Sequence, residues 1–171
     1  MKLTPWQNLS HYGIVFYFLV MPVLFLFLYL KDYLSYGHVH LKGGILYMGF
    51  GSLFLSFLFY YLQKRKLRFK VVETKLEFDV LRKIILDAGK NDDWTIKIDN
   101  RSVVVFKTHP GFLSGSWGEQ VTVLFSDKKV LINSICDLDK RPSVISYGGN
   151  RRNVRTLVNA ITSRDSYDIN L

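Results

Sequence analysis

The chain has one cysteine, Cys136, in 171 residues. That excludes an intramolecular disulfide and a zinc cluster built on cysteines, and it agrees with a reducing compartment. No proline- or glycine-rich linker and no internal repeat divides the chain. Charge is missing from two long runs, residues 13–30, GIVFYFLVMPVLFLFLYL, and residues 43–62, GGILYMGFGSLFLSFLFYYL. As helices rising about 1.5 Å per residue they reach roughly 27 and 30 Å, close to the hydrocarbon thickness of a bilayer. Both are expected to cross a membrane. A cleaved signal peptide does not fit the first run, because it is long, only Lys2 precedes it, and no small-x-small site follows Leu30. Pro22, which would cost about 3 kcal/mol in a soluble helix, is tolerated in a span packed against a partner helix. With no ionisable side chain in either run, a transporter or proton channel lacks the groups that line a water-filled path.

A net charge of +9 invites a nucleic-acid reading. Its location argues otherwise. From Val71 to Leu171 there are 15 basic and 13 acidic residues, so 15 − 13 leaves only +2. Much of the excess lies in Lys64, Arg65, Lys66, Arg68 and Lys70, with no acid until Glu73. A nucleic-acid domain carries its basic surface on the fold itself. Here the charge adjoins a span, where each basic residue gains about 1 kcal/mol near anionic lipid. The partner so implied is the bilayer surface, not nucleic acid. Positive charge flanking a span also marks the cytoplasmic side, and the segment between the runs, KDYLSYGHVHLKG, is nearly neutral. The expected arrangement is an integral two-pass protein, in a bacterium one of the inner membrane, with both termini cytoplasmic. Trp6, Tyr12, Tyr29, Tyr60 and Tyr61 stand where interfacial aromatics belong. Gly49, Ser52 and Ser56 put small side chains on one stripe of the second span. That stripe suits close packing against the first span, against a second copy, or against another membrane protein.

Past Lys70 the pattern becomes that of a soluble α+β unit, largely antiparallel, in the order β-α-β-β-β-β-α. FKVVET is a short strand. TKLEFDVLRKIILDAG (74–89) is a helix with Leu76, Val80, Leu81, Ile84, Ile85 and Ala88 on one stripe, a capping box of Thr74 and Glu77, and Gly89 as its stop. Strands follow at 94–99, 102–108, 119–126 and 130–136, two of the connections being short enough for hairpins. NRRNVRTLVNAITS (150–163) is a closing helix with Asn150 as N-cap. The organisation reads as a two-helix transmembrane anchor over 1–66, a cytoplasmic domain over 67–165 with two helices on one face of its sheet, and a poorly ordered tail over 166–171.

Three segments, SWGEQVTVL, VLINSICD and SYGGNRRNV, resemble parts of small bacterial two-span membrane proteins of no assigned function. The resemblance spans roughly residues 102–160. It implies a shared domain, and it brings no activity, cofactor or catalytic residue.

The sharpest candidate for chemistry is SYGGNRRNVR (146–155). Gly148 and Gly149 lead into a helix start, and Asn150, Arg151, Arg152 and Arg155 occupy its first turns. Unpaired N–H groups at a helix start attract anions, whereas cations there oppose the dipole by about 0.3–1 kcal/mol each. A lipid phosphate, a phosphate-bearing ligand or an acidic partner would relieve them; so would pairing with Asp137 or Asp139. The segment matches neither a phosphate-binding loop nor a dinucleotide fingerprint. The loop HPGFLSGSWG places Phe112 and Trp117, with Glu119 just beyond, where a partner could be met or a sheet edge covered. Asp137 and Asp139 suit turn chemistry better than a carboxylate pair. Cys136 suits a small core residue, His109 being its one conceivable companion for thiolate chemistry. His38 and His40 form an H-x-H pair short of further ligands. No catalytic set, metal site or cofactor is implied. The expected role is a membrane-anchored, non-enzymatic interaction or regulatory module, or alternatively a membrane effector that senses a phosphate-bearing ligand at the Gly-Gly-Asn-Arg-Arg helix start.

Overall fold

Thr4 opens the first helix. Its hydroxyl accepts from the Gln7 N–H (3.3 Å), and the Gln7 side chain accepts from the Thr4 N–H (3.1 Å), a reciprocal cap followed by Pro5 at the first helical position. Helix α1 (Pro5–Tyr36) is therefore longer than the apolar run that it contains, and Gly37, at φ 69°, ends it. The structure, a computed structural model, describes residues 3–38, 43–109, 116–137, 139–140 and 148–168. Helix α2 (Gly43–Lys66) likewise outruns its apolar stretch by one turn. Both helices are long and apolar enough to cross a membrane.

The chain divides into two compact units, Leu3–Arg65 and, essentially, Lys66–Leu171. Within the first, α1 and α2 pair as a hairpin. The Phe18 and Phe59 rings stack at 5.4 Å, and Tyr12 and Tyr60 at 5.6 Å. The Ser56 hydroxyl donates to the Val15 carbonyl (3.2 Å). A methyl group added at Gly49 would sit 3.0 Å from the Phe25 ring, so this glycine is where the two helices approach closely. His11 Nε2 lies 3.0 Å from the Gln63 carbonyl. A carbonyl only accepts, so that nitrogen carries the proton. Two of the three small residues thus serve the hairpin itself. Ser52 bonds back to the Gly49 carbonyl of its own helix (2.9 Å).

The second unit runs β1 (Lys70–Glu73), α3 (Phe78–Asn91), β2 (Thr95–Asp99), β3 (Val103–Lys107), β4 (Glu119–Ser126), β5 (Lys129–Cys136) and α4 (Gly149–Asp168). Its five strands form one antiparallel sheet in the order β1-β5-β4-β3-β2. Side chains alternate across a pleated strand. The register Val104–Val123–Ile132 and Phe106–Val121 therefore gathers one apolar face. Leu81, Ile85 and Ala88 of α3, with Leu157 and Ile161 of α4, close over it, and Trp94 meets Phe106 edge-on at 5.5 Å. Gly89 is required there, because a Cβ would stand 2.7 Å from the Phe106 ring.

Four local expectations are corrected. Gly89 is not the stop of α3, which runs on to Asn91. Thr74 and Glu77 form no capping box: α3 starts at Phe78, Glu77 makes no side-chain cap, and the Thr74 hydroxyl accepts from the Leu76 N–H (3.2 Å) in a tight turn before the helix. Asn150 is not the N-cap of α4, because the Gly148 carbonyl already accepts from the Arg152 N–H (2.9 Å) and the helix begins at Gly149. Nor does order stop at residue 165. Helix α4 continues to Asp168, with the Ser166 hydroxyl donating to the Thr162 carbonyl one turn back.

On the opposite face of the sheet Val105, Thr122, Asn133 and Ile135 are buried. The Asn133 amide, 2% exposed, donates to the carbonyls of Lys66 (2.8 Å) and Arg68 (2.7 Å). The basic segment that enters this unit is thereby fastened to the sheet through its own backbone, with the Arg68 and Lys70 side chains exposed and Lys66 half-buried.

Candidate functional site

Helix α4 starts against a buried acid. Glu119, the first residue of β4, is 4% exposed. Its Oε2 accepts from the Thr108 hydroxyl (2.5 Å) and its Oε1 from the Ser116 hydroxyl (2.6 Å). Thr108 and Glu119 are joined twice more through the backbone, by Thr108 N–H to Glu119 C=O and Glu119 N–H to Thr108 Oγ1, both at 2.9 Å. The carboxyl packs directly on Gly149: a Cβ there would lie 2.6 Å from Oε1. Gly148, at φ 82°, turns the chain into the helix just before that contact.

The consequence for the glycine-arginine segment is electrostatic. The positive end of a helix dipole favours a negative group. Glu119 places a buried carboxyl against the start of α4 from inside the protein. Glu119 is accordingly a core-facing strand residue and not part of an exposed contact loop, a correction with a plain cause: β4 begins one residue after Gly118, and alternation turns its first side chain toward α4. Asn150 is spent in the same way. Its Oδ1 accepts from the Ser134 hydroxyl (3.0 Å), its amide lies 4.0 Å from Cys136 Sγ, and Asn153, 3% exposed, donates to the same Ser134 oxygen (3.2 Å). Arg151, Arg152 and Arg155 form no ion pair among the described residues. The two acids suggested as their partners are held elsewhere.

Beside this helix start lies a cleft of about 570 Å³. Its walls are Trp94, Thr108, Glu119 and Asn153, and Asp92, Asp93, His109 and Arg152 stand around it. The end of α3 brings the acids in, where Asp93 at φ 54° reverses the chain so that the Trp94 N–H reaches the Gly89 carbonyl (2.8 Å). His109 Nε2 pairs with the Thr95 hydroxyl at 3.1 Å. Two residue sets that were separate in the sequence, Glu119 and the Gly148–Arg152 segment, thus meet here. Thr108 and Asn153 were not singled out by the sequence. Asn153 carried a signal, since it falls on the apolar stripe of α4 one turn before Leu157. Thr108 carried none, because its partner is fixed only by strand pairing.

The carboxylates after β5 form a structural network. Asp137 pairs with Lys107 and accepts from the Asp139 N–H (3.0 Å), a turn of the kind its position suggests. Asp139 also pairs with Lys97 and Lys107. The hydrogen bond to Asp139 holds the Lys97 ammonium above its ordinary range. Trp117 is 53% exposed, and its carbonyl accepts from Lys140. Phe112 and His40 lie outside the described residues; His38 accompanies the Tyr36 carbonyl (2.6 Å). No group of three metal-ligating side chains occurs among the described residues. Lys64 and Arg65 lie over the rings of Tyr60 and Tyr61 at 5.7 and 5.9 Å. Comparison with protein-family models and with curated proteins finds no match.

Proposed function

We propose that this chain is a membrane-anchored interaction or regulatory module whose α+β domain acts at the cytoplasmic surface without catalysing a reaction. The observation that carries the reading is the pair of helices α1 and α2. Their large apolar side chains, Phe27, Tyr47, Phe50 and Phe54 among them, face outward instead of into a protein core. A hydrocarbon surround makes such a surface favourable, at roughly 25 cal/mol per Å² of apolar area. The basic residues Lys64, Arg65, Lys66, Arg68 and Lys70 then orient the hairpin with the domain inside, and tethering raises the domain's local concentration near other membrane components.

The commitment of the reactive side chains supports a non-enzymatic role. Glu119 is satisfied by Thr108 and Ser116, Asp137 by Lys107, and Asn150 by Ser134, so each serves the fold. An arrangement for general acid–base work instead leaves such a group within reach of an incoming substrate proton. The internal carboxyl at the start of α4 likewise weighs against a phosphate sensor at that point. Carbonate extraction of membranes should leave the full chain in the pellet. External protease on intact cells should spare residues 67–165 and inside-out vesicles should expose them. Release into the supernatant, or digestion from outside, overturns the reading.

A further inference from the structure

At the end of the sheet remote from residues 66–69 lies a second cleft, of about 500 Å³. It opens between the β4–β5 turn, the β2–β3 turn and the approach to α3. Its apolar floor is Leu76, Phe78, Leu81 and Phe125, with the two phenylalanine rings edge-on at 5.3 Å. Phe78 stays 36% exposed although it begins a helix packed on the core. Arg101, Lys128 and Lys129 also line the cleft, and none of the three forms an ion pair among the described residues. One acid, Asp127, stands with them. Glu73, opposite Lys129 in the register, does not line it.

We infer that this cleft is a docking site for an acidic peptide segment of a partner protein, one apolar side chain seated on Phe78 and Phe125 and flanking carboxylates meeting Arg101, Lys128 and Lys129. The inference rests on the reading of the chain as an interaction module and names its contact surface. Charge complementarity selects the sign of the occupant, and the part-exposed Phe78 ring, backed by the half-buried Phe125, selects an apolar anchor. Aromatic floors with cationic rims favour such segments because the anchor loses water while the rim steers the encounter. The apolar floor between the cations favours a peptide with an apolar anchor over a lipid headgroup, which would engage the cations alone.

The test uses the full chain in nanodiscs and a fluorescein-labelled hexapeptide of aspartate and glutamate with one central phenylalanine, followed by anisotropy. Binding that weakens with salt, falls about tenfold or more in the triple variant R101E/K128E/K129E, and falls again when the peptide's phenylalanine is replaced by serine supports the site. The conservative F78L variant should retain binding and F78Q should lose it, with hydrogen exchange showing both folded. Equal binding by wild type and triple variant, or no binding at millimolar peptide, overturns it. So does loss of peptide binding when neutral lipid in the discs is replaced by anionic phosphatidylglycerol, which would make the cleft a lipid-headgroup site. Carbonate extraction of the same variants reports on the anchor alone, so failure of the cleft and failure of the anchored-module reading are separable.

Discussion

Gly149→Ala should destabilise the domain, although helix propensity favours the opposite. Alanine in a helix is better than glycine by up to about 1 kcal/mol, because glycine loses more backbone freedom on folding. The new methyl group, however, would stand 2.6 Å from Glu119 Oε1 and 3.2 Å from Cδ. A solvent-exposed glutamate would swing aside at little cost. This one is buried and held by the hydroxyls of Thr108 and Ser116, so it cannot move without breaking at least one of those bonds. A hydrogen bond to a charged group contributes about 1.5–3 kcal/mol, so the net loss should be about 1–2 kcal/mol. The measurement is urea unfolding of the full chain in micelles, read through Trp94 with Trp6 and Trp117 replaced by phenylalanine. A double-mutant cycle supplies the decisive sign. In a Glu119→Ala background the obstruction is gone, and the same Gly149→Ala change should then stabilise by a few tenths to about 1 kcal/mol. Stabilisation by Gly149→Ala in the wild-type background would refute the contact.

Three further outcomes follow from the same packing. Gly89→Ala places its methyl 2.7 Å from the fully buried Phe106 ring, and overpacking of about 1–3 kcal/mol should outweigh the gain in helix propensity; thermal unfolding decides. Lys107→Met leaves the Asp137 carboxylate, whose side chain is 4% exposed, without its cation. That should cost about 3 kcal/mol or more, and Asp137→Asn in the same chain should recover part of it. Asp139→Asn should lower the Lys97 pKa toward the ordinary 10.5. The sign for stability is that of a raised amine: the increment from Asp139 is fully present below pH 10.5 and is lost as pH rises through the folded-state pKa. A side-chain NMR titration of Lys97 checks the shift, and the difference in stability between wild type and variant should shrink as pH rises into the strongly alkaline range.

Where the sequence spoke clearly, it did so through periodicity and local charge. The two uncharged runs, the helical stripe from Leu81 to Ala88 and the alternating strand residues 119–126 each carry their signal within a single helix or strand. Physical chemistry reads them directly, because apolar faces must be covered and backbone groups must be paired. The capping box was misread for a reason of the same local kind. Thr74 can satisfy a backbone N–H in a turn as well as at a helix start, and which it does depends on where β1 must end, beside Lys128.

The sequence by itself determined a pair of lipid-length helices, the charge step that follows them and the α+β character of the remainder. It could not determine what stands at the start of α4. The pairing of β3 with β4 carries Thr108 to Glu119, and Glu119 to Gly149 thirty residues onward, so a buried carboxyl comes to lie against the helix start. Nor could it foresee that Lys107 rather than an arginine would hold Asp137, or that Phe78 and Phe125 would share one cleft. Charges and rings act over a few ångströms in space, and only the sheet register decides which residues come within that distance.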